Sequence, residues 1–187
     1  MENTPQAEKE LFKELLPSDV KKGIEIGVLN GETSGFFLNT FPDLHLTGVD
    51  PLIPDSMEPS LIGDKDKIIG NVRLHLDRFT FIKDYSYNVF PNFPVHSFDF
   101  IFIDGSHLYE DVRKDYLLYY HIVKEGGLIF LHDSRMNRGG ANFHPGPSRL
   151  ADLLIKGDLG GIFDRLETLI TPVELVGEAF SLTAFRK

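Results

Sequence analysis

The chain has 187 residues, 42% of them apolar and 25% charged, a net charge of −9 and no cysteine. That composition suits a soluble globular protein of one domain, and it excludes disulfides, thiolate metal sites, iron–sulfur clusters and cysteine nucleophiles, so any metal must rest on oxygen or imidazole ligands. The 19 Lys and Arg are scattered, without the basic footprint that nucleic-acid binding leaves. The expected partner is therefore a small molecule, with no nucleic acid and no membrane.

In chain order, "MENTPQAEKELFKELLP" is acidic and amphipathic and predicts a helix within residues 1–20. It lacks the basic start and apolar run of a signal peptide, and no apolar segment approaches the ~20 residues of a membrane span. A cytoplasmic location is the simplest expectation. "KGIEIGV" and "LHLTGVD" read as strands, "DKIIGNVRLHLDRF" as a helix with Ile68, Ile69, Val72, Leu74 and Leu76 on one side, and "FTFIKD" as a strand. "FDFIFIDG" is a strand, and "LYEDVRKDYLLYYHIVKEGG" a helix closed by two glycines. "LIFLHDS" is a strand. Residues 135–147, rich in Gly, Pro, Asn and Arg, read as a loop over the expected site. "SRLADLLIKGD" reads as a helix with Ser148 as N-cap. The tail "FDRLETLITPVELVGEAFSLTAFRK" reads as two strands around a Pro-containing turn.

Strands alternating with helices predict an α/β fold: a Rossmann-like, doubly wound, mostly parallel seven-stranded sheet closed by an antiparallel C-terminal hairpin. In such sheets ligands bind beyond the carboxyl ends of the strands. The polar residues of interest fall at those ends: Glu25 and Gly27, Asp50, Asp84, Asp104 to His107, and His132 to Ser134.

"IEIGVLNGETS" places Glu25, Gly27, Gly31 and Ser34 where a strand turns into a helix. Glycine permits a sharp bend or close ligand approach there, and a helix N-terminus offers free N–H groups. The spacing is G-x-x-x-G, wider than the dinucleotide fingerprint. Asp50, ending the second strand, sits where an acid accepts ribose hydroxyls of a nucleoside ligand. Read blandly, the glycines make a plain strand-to-helix turn and Asp50 a turn before Pro51.

Together, "EIGVLNGETS", "GVDP", "FDFIFIDGSHLYEDVRKD" and "GGLIFLHDS" resemble the class I S-adenosylmethionine-dependent methyltransferases. More narrowly they resemble the branch with an I-D-G-x-H-x-Y segment, which includes small-molecule and sugar O-methyltransferases. The resemblance runs from about Lys21 to about Ser134, and "FSLTAFRK" is similar to that family's last strand. It implies that Glu25, Gly27, Gly31 and Ser34 line the methionine part of the cofactor, that Asp50 holds the ribose, and that Asp84 to Ser86 meet the adenine. It also places Asp104 beside the sulfonium end.

An aliphatic hydroxyl needs a general base, a metal ion or both to act as a nucleophile near neutral pH. His107 is the candidate base, with Asp104 beside it. Asp104 and Asp133 end strands that, as neighbours, lie ~4.8 Å apart. With His132 they form a candidate site for Mg2+ or Mn2+. The third ligand place of metal-dependent relatives is Ser134 here, a weaker ligand. Metal-assisted catalysis and His107 acting without metal both stand open. Arg135, Arg138, Asn142 and His144 are the loop's candidate substrate contacts, whereas Tyr109, Tyr116, Tyr119 and Tyr120 follow a helical rhythm and Asp111 and Asp115 a solvated face. Two rivals remain: a nucleoside-binding module without activity, and a metal-dependent oxygenase or hydrolase on His107, His132 and Asp133. With no separate lid domain, a homodimer is expected to supply part of the specificity.

Overall fold

The computed structural model describes residues 5–140, 144–158 and 173–187. In chain order it forms α1 (Gln6–Leu15), β1 (Lys22–Ile26), α2 (Glu32–Thr40), β2 (His45–Val49), α3 (Lys65–Val72), β3 (Phe79–Ile82), α4 (Ser86–Val89), β4 (Phe98–Ile103), α5 (Tyr109–Tyr119), β5 (Val123–Leu131), α6 (Pro145–Lys156), β6 (Glu174–Ala179) and β7 (Leu182–Arg186). The strands make one seven-stranded sheet in the order β3-β2-β1-β4-β5-β7-β6. The first five are parallel, and β7 runs antiparallel between β5 and β6. The expected Rossmann-like, doubly wound fold is the one observed.

Alternation along the central strands divides the core into two layers. Ile101 and Ile103 of β4 pack with Ile24, Ile26, Ile129 and Leu131 under α5 and α6. Phe100 and Phe102 pack on the other face with Phe130, under α1 and α2. There Phe12 of α1 is fully buried, its ring 4.8 Å from Phe37 and 4.9 Å from Phe130. Burial of such a ring is worth about 1.5–3 kcal/mol, and it clamps α1 to the sheet. β1 and β4 are neighbours at the centre, with the chain winding outward on either side. That reversal opens a crevice beyond their carboxyl ends.

Several local expectations are corrected. The helix expected across Ile68 to Leu76 stops at Val72 and continues as a 3-10 turn, Arg73–His75. Ile68 and Val72 are buried, but Ile69, Leu74 and Leu76 are exposed. α5 ends at Tyr119, and Gly126 and Gly127 lie inside β5 rather than closing the helix. α6 begins at Pro145 after His144, so Ser148 is not its N-cap but a fully buried residue in its first turns. A proline is favoured at the first helical position, where no N–H is needed. The closing hairpin turns at Phe180 and Ser181, between β6 and β7. The first strand and Pro-containing turn expected earlier in the tail lie outside the described residues. Asp115, expected on a solvated face, is 6% exposed.

Candidate active site

A cavity of about 600 Å³ lies over the ends of β1, β2, β4 and β5. Gly27 forms its floor at the end of β1, with φ of 87°. A Cβ there would lie 2.2 Å from the carbonyl oxygen of Asp104. Only glycine lets the first loop cross that close to the end of β4.

Glu25, on β1, is 1% exposed and accepts a hydrogen bond from the Ser34 hydroxyl. Burial pushes its pKa well above the carboxylate range, against the Ser34 bond, with Asp104 and Asp50 adding to the rise. Asp50, at the end of β2, spends most of its acceptor capacity on the protein. Its Oδ2 accepts from Val28 N (2.8 Å) and Leu29 N (2.9 Å), and its Oδ1 from Leu52 N (2.6 Å). A carboxylate has about four acceptor positions, so Asp50 shapes the glycine loop and keeps little to offer a ligand.

Of the residues expected at a cofactor, Glu25, Gly27, Asp50, Ser86 and Asp104 line the cavity. Gly31, Ser34 and Asp84 do not. Ser34 is fully buried behind Glu25. Gly31 packs against Ile68 of α3. Asp84 turns back to accept from Tyr85 N and Asn88 Nδ2 at the start of α4.

At the far end of the cavity, His107 is held on three sides. Its Nε2 lies 3.0 Å from Asp133 Oδ2 and its Nδ1 3.3 Å from Asp55 Oδ1. Its ring stacks on His144, with centroids 3.6 Å apart and planes 19° apart. Burial lowers its pKa, but Asp133 and Asp55 outweigh that and hold it above the usual histidine value. Gly146 makes room for this contact, because a Cβ there would lie 2.2 Å from His107 O. Asp133 takes a left-handed conformation, φ 49°, at the end of β5. Such backbone strain in a non-glycine residue costs about 1–3 kcal/mol and persists where the surroundings impose it. Burial raises its pKa, yet His107 and His132 prevail and hold it below the carboxylate range.

His132 Nδ1 lies 2.8 Å from Asp104 Oδ1 and 3.4 Å from Asp133 Oδ2. Burial opposes its charge, but Asp104, Asp133 and Glu8 raise its pKa well above the usual value. Burial raises that of Asp104, partly offset by His132. Candidate ligand atoms of Asp104, His132 and Asp133 lie within 4.8 Å of one another. The expected metal group is thus brought together. The same spacing joins His107, Asp133 and His144. Ser134 is turned away, its hydroxyl bonded to Leu131 O, Ser181 O and Thr183 Oγ1.

The loop after β5 contributes His144 to the cavity wall, but not its arginines. Arg135 donates to Phe180 O, and Arg138 pairs with Glu178 and Asp152. Asn142 lies outside the described residues. Tyr109, at the start of α5, packs under Arg149 and is not part of the cavity lining, in keeping with its helical rhythm.

Sequence reasoning missed Asp55, Glu58, Asp115 and Glu8. Asp55 and Glu58 lie in the loop after β2, where acids carry no periodic signal. Asp115, which takes the Ser86 hydroxyl's hydrogen bond, was hidden among alternating charges. Glu8 left a trace, since it shares an α1 face with Leu11 and Phe12. Among the described residues, no helix is long and apolar enough to cross a membrane.

The family described as "Methyltransferase domain" matches residues 24–134. An uncharacterised protein of Acanthamoeba polyphaga mimivirus is 30% identical over 131 residues, which are 68% of this chain and 58% of that protein. The chain thus spans little more than half of that relative. Among solved structures, a Corynebacterium glutamicum protein superposes with a TM-score of 0.69 at 17% identity, covering 98% of this chain and 81% of that one. MycE, a methyltransferase of the mycinamycin biosynthetic pathway solved with Mg and SAH, gives 0.62 at 16% identity, over 95% of this chain and 49% of its own. TomG, an O-methyltransferase from Streptomyces achromogenes solved with SAM, gives 0.58 at 13% identity, over 95% and 76%. These structural likenesses speak for the fold, and the sequence match for the family. The chain belongs to the methyltransferase domain family, of the class I S-adenosylmethionine-dependent type.

Proposed function

We propose that the chain transfers a methyl group from S-adenosylmethionine to a hydroxyl oxygen of a small molecule such as a sugar, with His107 as general base. The observation that carries this reading is His107 in the cavity wall with a carboxylate near each ring nitrogen. The cavity has the size of an ordinary small-molecule site and its wall is rich in carboxylates, which suits a cationic donor. Gly27 lets a ligand approach the backbone, and Ser86 and Asp115 add polar groups to the cavity lining.

When bound, the cofactor supplies a methyl group: the C–O bond forms as the C–S bond breaks, and sulfur keeps the electron pair. The rest of the work falls to the chain. His107 acts in its neutral form and takes the hydroxyl proton. Asp133, 3.0 Å from Nε2, and Asp55, 3.3 Å from Nδ1, stabilise the charged ring that results. Asp55 favours the proton on Nδ1 by its charge, and His144 covers the face of the ring.

The donor set of Asp104, His132 and Asp133 fits a divalent cation, since His132 Nδ1 makes no aligned hydrogen bond. Such an ion would supply Lewis acidity to the acceptor hydroxyl. The oxygenase set expected from the sequence, His107, His132 and Asp133, is not one of the groups brought together among the described residues: Asp133 clusters with His107 and His144, or with Asp104 and His132. The His107, Asp133 and His144 group has the composition of an oxygenase iron site, but its geometry argues against that use. The two rings are stacked with centroids 3.6 Å apart and planes 19° apart, so their in-plane nitrogen lone pairs do not converge on one point.

Calorimetric titration with S-adenosylhomocysteine, followed by radiolabelled methyl transfer to a panel of hydroxylated acceptors, tests the proposal. Binding, with transfer abolished in His107→Ala, is expected. Absence of binding by the wild type overturns it.

A further inference from the structure

Glu8 is fully buried on the apolar face of α1. A carboxylate in that place is costly unless it is fully partnered. Its two oxygens have separate partners. Oε1 accepts from Ser181 N (3.0 Å) and Ser181 Oγ (2.6 Å), and Oε2 lies 3.2 Å from His132 Nε2. The Ser181 hydroxyl also lies 3.2 Å from His132 Nε2. Its only proton is committed to Glu8, so toward the ring it can only accept. Both neighbours of Nε2 are then acceptors, and Nε2 must carry a hydrogen. The other nitrogen, Nδ1, faces Asp104 and Asp133 and makes no aligned hydrogen bond.

We infer that Glu8 is a positioning residue that holds His132 as a nitrogen ligand, through Nδ1, for a divalent cation shared with Asp104 and Asp133. The inference rests on the cation site proposed above. Metal-bound histidines commonly donate their second N–H to a carboxylate, which fixes tautomer and ring orientation. Here that carboxylate comes from the N-terminal helix, and the β6–β7 turn locks it in place. One imidazole beside two carboxylates suits Mn2+ better than Mg2+, which prefers oxygen ligands throughout. Glu8 thereby sets the site's choice of ion.

Glu8→Gln is the informative variant. Its amide oxygen can still accept from both Ser181 donors, which leaves the NH2 group facing His132 Nε2. A cation can bind only the neutral ring, having displaced a proton from it, and in the variant the one proton left on that ring sits on Nδ1 and blocks the ligand position.

The test is Mn2+ affinity of the full chain, read from the electron paramagnetic resonance signal of the free ion, with Mg2+ as competitor. Wild type is expected to bind Mn2+ and prefer it to Mg2+. Glu8→Gln should weaken Mn2+ by about 10–100-fold and Mg2+ by less, with its thermal unfolding midpoint close to wild type. A purely structural role for Glu8 would lower the midpoint without changing the preference between ions. If Glu8→Gln does not fold, Ser181→Ala, which frees one anchor of Glu8, should show the same selective loss of Mn2+ on a smaller scale. Unchanged Mn2+ binding in the folded variant, with His132→Ala weakened, overturns the role of Glu8 and leaves the cation site standing. Wild-type Mn2+ binding that survives His132→Ala overturns the nitrogen ligand, and no Mn2+ binding by wild type overturns both.

Discussion

The imidazole of His144 lies face to face with that of His107, their centroids 3.6 Å apart. His144 Nε2 also reaches toward Glu58 at 3.5 Å and Asp133 at 3.9 Å. The first residue before α6 is therefore tied both to the candidate base and to the loop after β2. Replacing His144 by alanine uncovers one face of His107 and frees its ring to tilt. Since small misplacements of a reacting group are costly, methyl transfer by His144→Ala should fall by roughly 10-fold in kcat. Affinity for S-adenosylhomocysteine should stay close to wild type. Steady-state kinetics with an identified acceptor, beside calorimetry, separates the two. An unchanged kcat would remove His144 from the site.

Asp50→Asn tests whether this residue builds the loop or only touches the ligand. The carboxylate accepts three backbone N–H groups. An amide turns one of its acceptor atoms into a donor and leaves a largely buried N–H without a partner. That penalty is about 1–3 kcal/mol. Chemical denaturation should show a loss of that order in the absence of any ligand, and calorimetry should show weakened S-adenosylhomocysteine binding as well. Normal stability combined with lost binding would restore a purely ligand-directed role.

Gly27→Ala should be more severe. The position has φ 87°, and the added Cβ would lie 2.2 Å from backbone oxygen. Neither atom belongs to a flexible side chain, so β1 and β4 must separate locally. A fall in the unfolding midpoint together with loss of cofactor binding is the expected result. A stable variant that binds normally would show that the loop has slack the structure does not suggest.

Asp115 predicts a pH effect. Burial raises its pKa to about 6, against the Ser86 hydrogen bond, with Asp111 raising and Lys114 lowering it further. In the unfolded chain its pKa is near ~3.9. The native state thus holds the proton more tightly, so stability from this residue is full below about pH 4 and is lost as pH rises through about 6. The loss is on the order of 2–3 kcal/mol. Asp115→Asn keeps an acceptor for Ser86 and carries no charge. It should be more stable than wild type at pH 7.5, with the difference closing toward pH 4. Denaturation at the two pH values checks this, and a gap that does not change with pH would count against it.

Much of the fold was legible because strands announce themselves locally. "FDFIFI" and "LIFL" have the apolar density of buried parallel strands, and their ends carry the acids and histidines that a sheet of this kind delivers to one edge. Asp104, His107, His132 and Asp133 were found for that reason, and the structure brings them together. The helix boundaries were less legible. Gly126 and Gly127 look like a helix stop but lie inside β5, in the register shift between its Val123–Phe98 and Leu128–Phe100 pairings, where Gly126 takes φ 75° and a Cβ on Gly127 would lie 2.8 Å from Asp99 O.

The sequence by itself determined the sheet, the strand ends and the family, since these follow from residue patterns a few positions long. The tertiary structure alone decided how the site is supported. Glu8 meets His132 across 124 positions of chain, Asp55 meets His107 from another loop, and Asp115 is buried where its neighbours in sequence are solvated. Ser34 and Asp84 carry the right chemistry at suitable sequence positions, yet local hydrogen bonds turn them from the cavity. Such contacts depend on how helices and loops settle on the sheet. Burial and long-range packing set that, and neither leaves a period in the sequence.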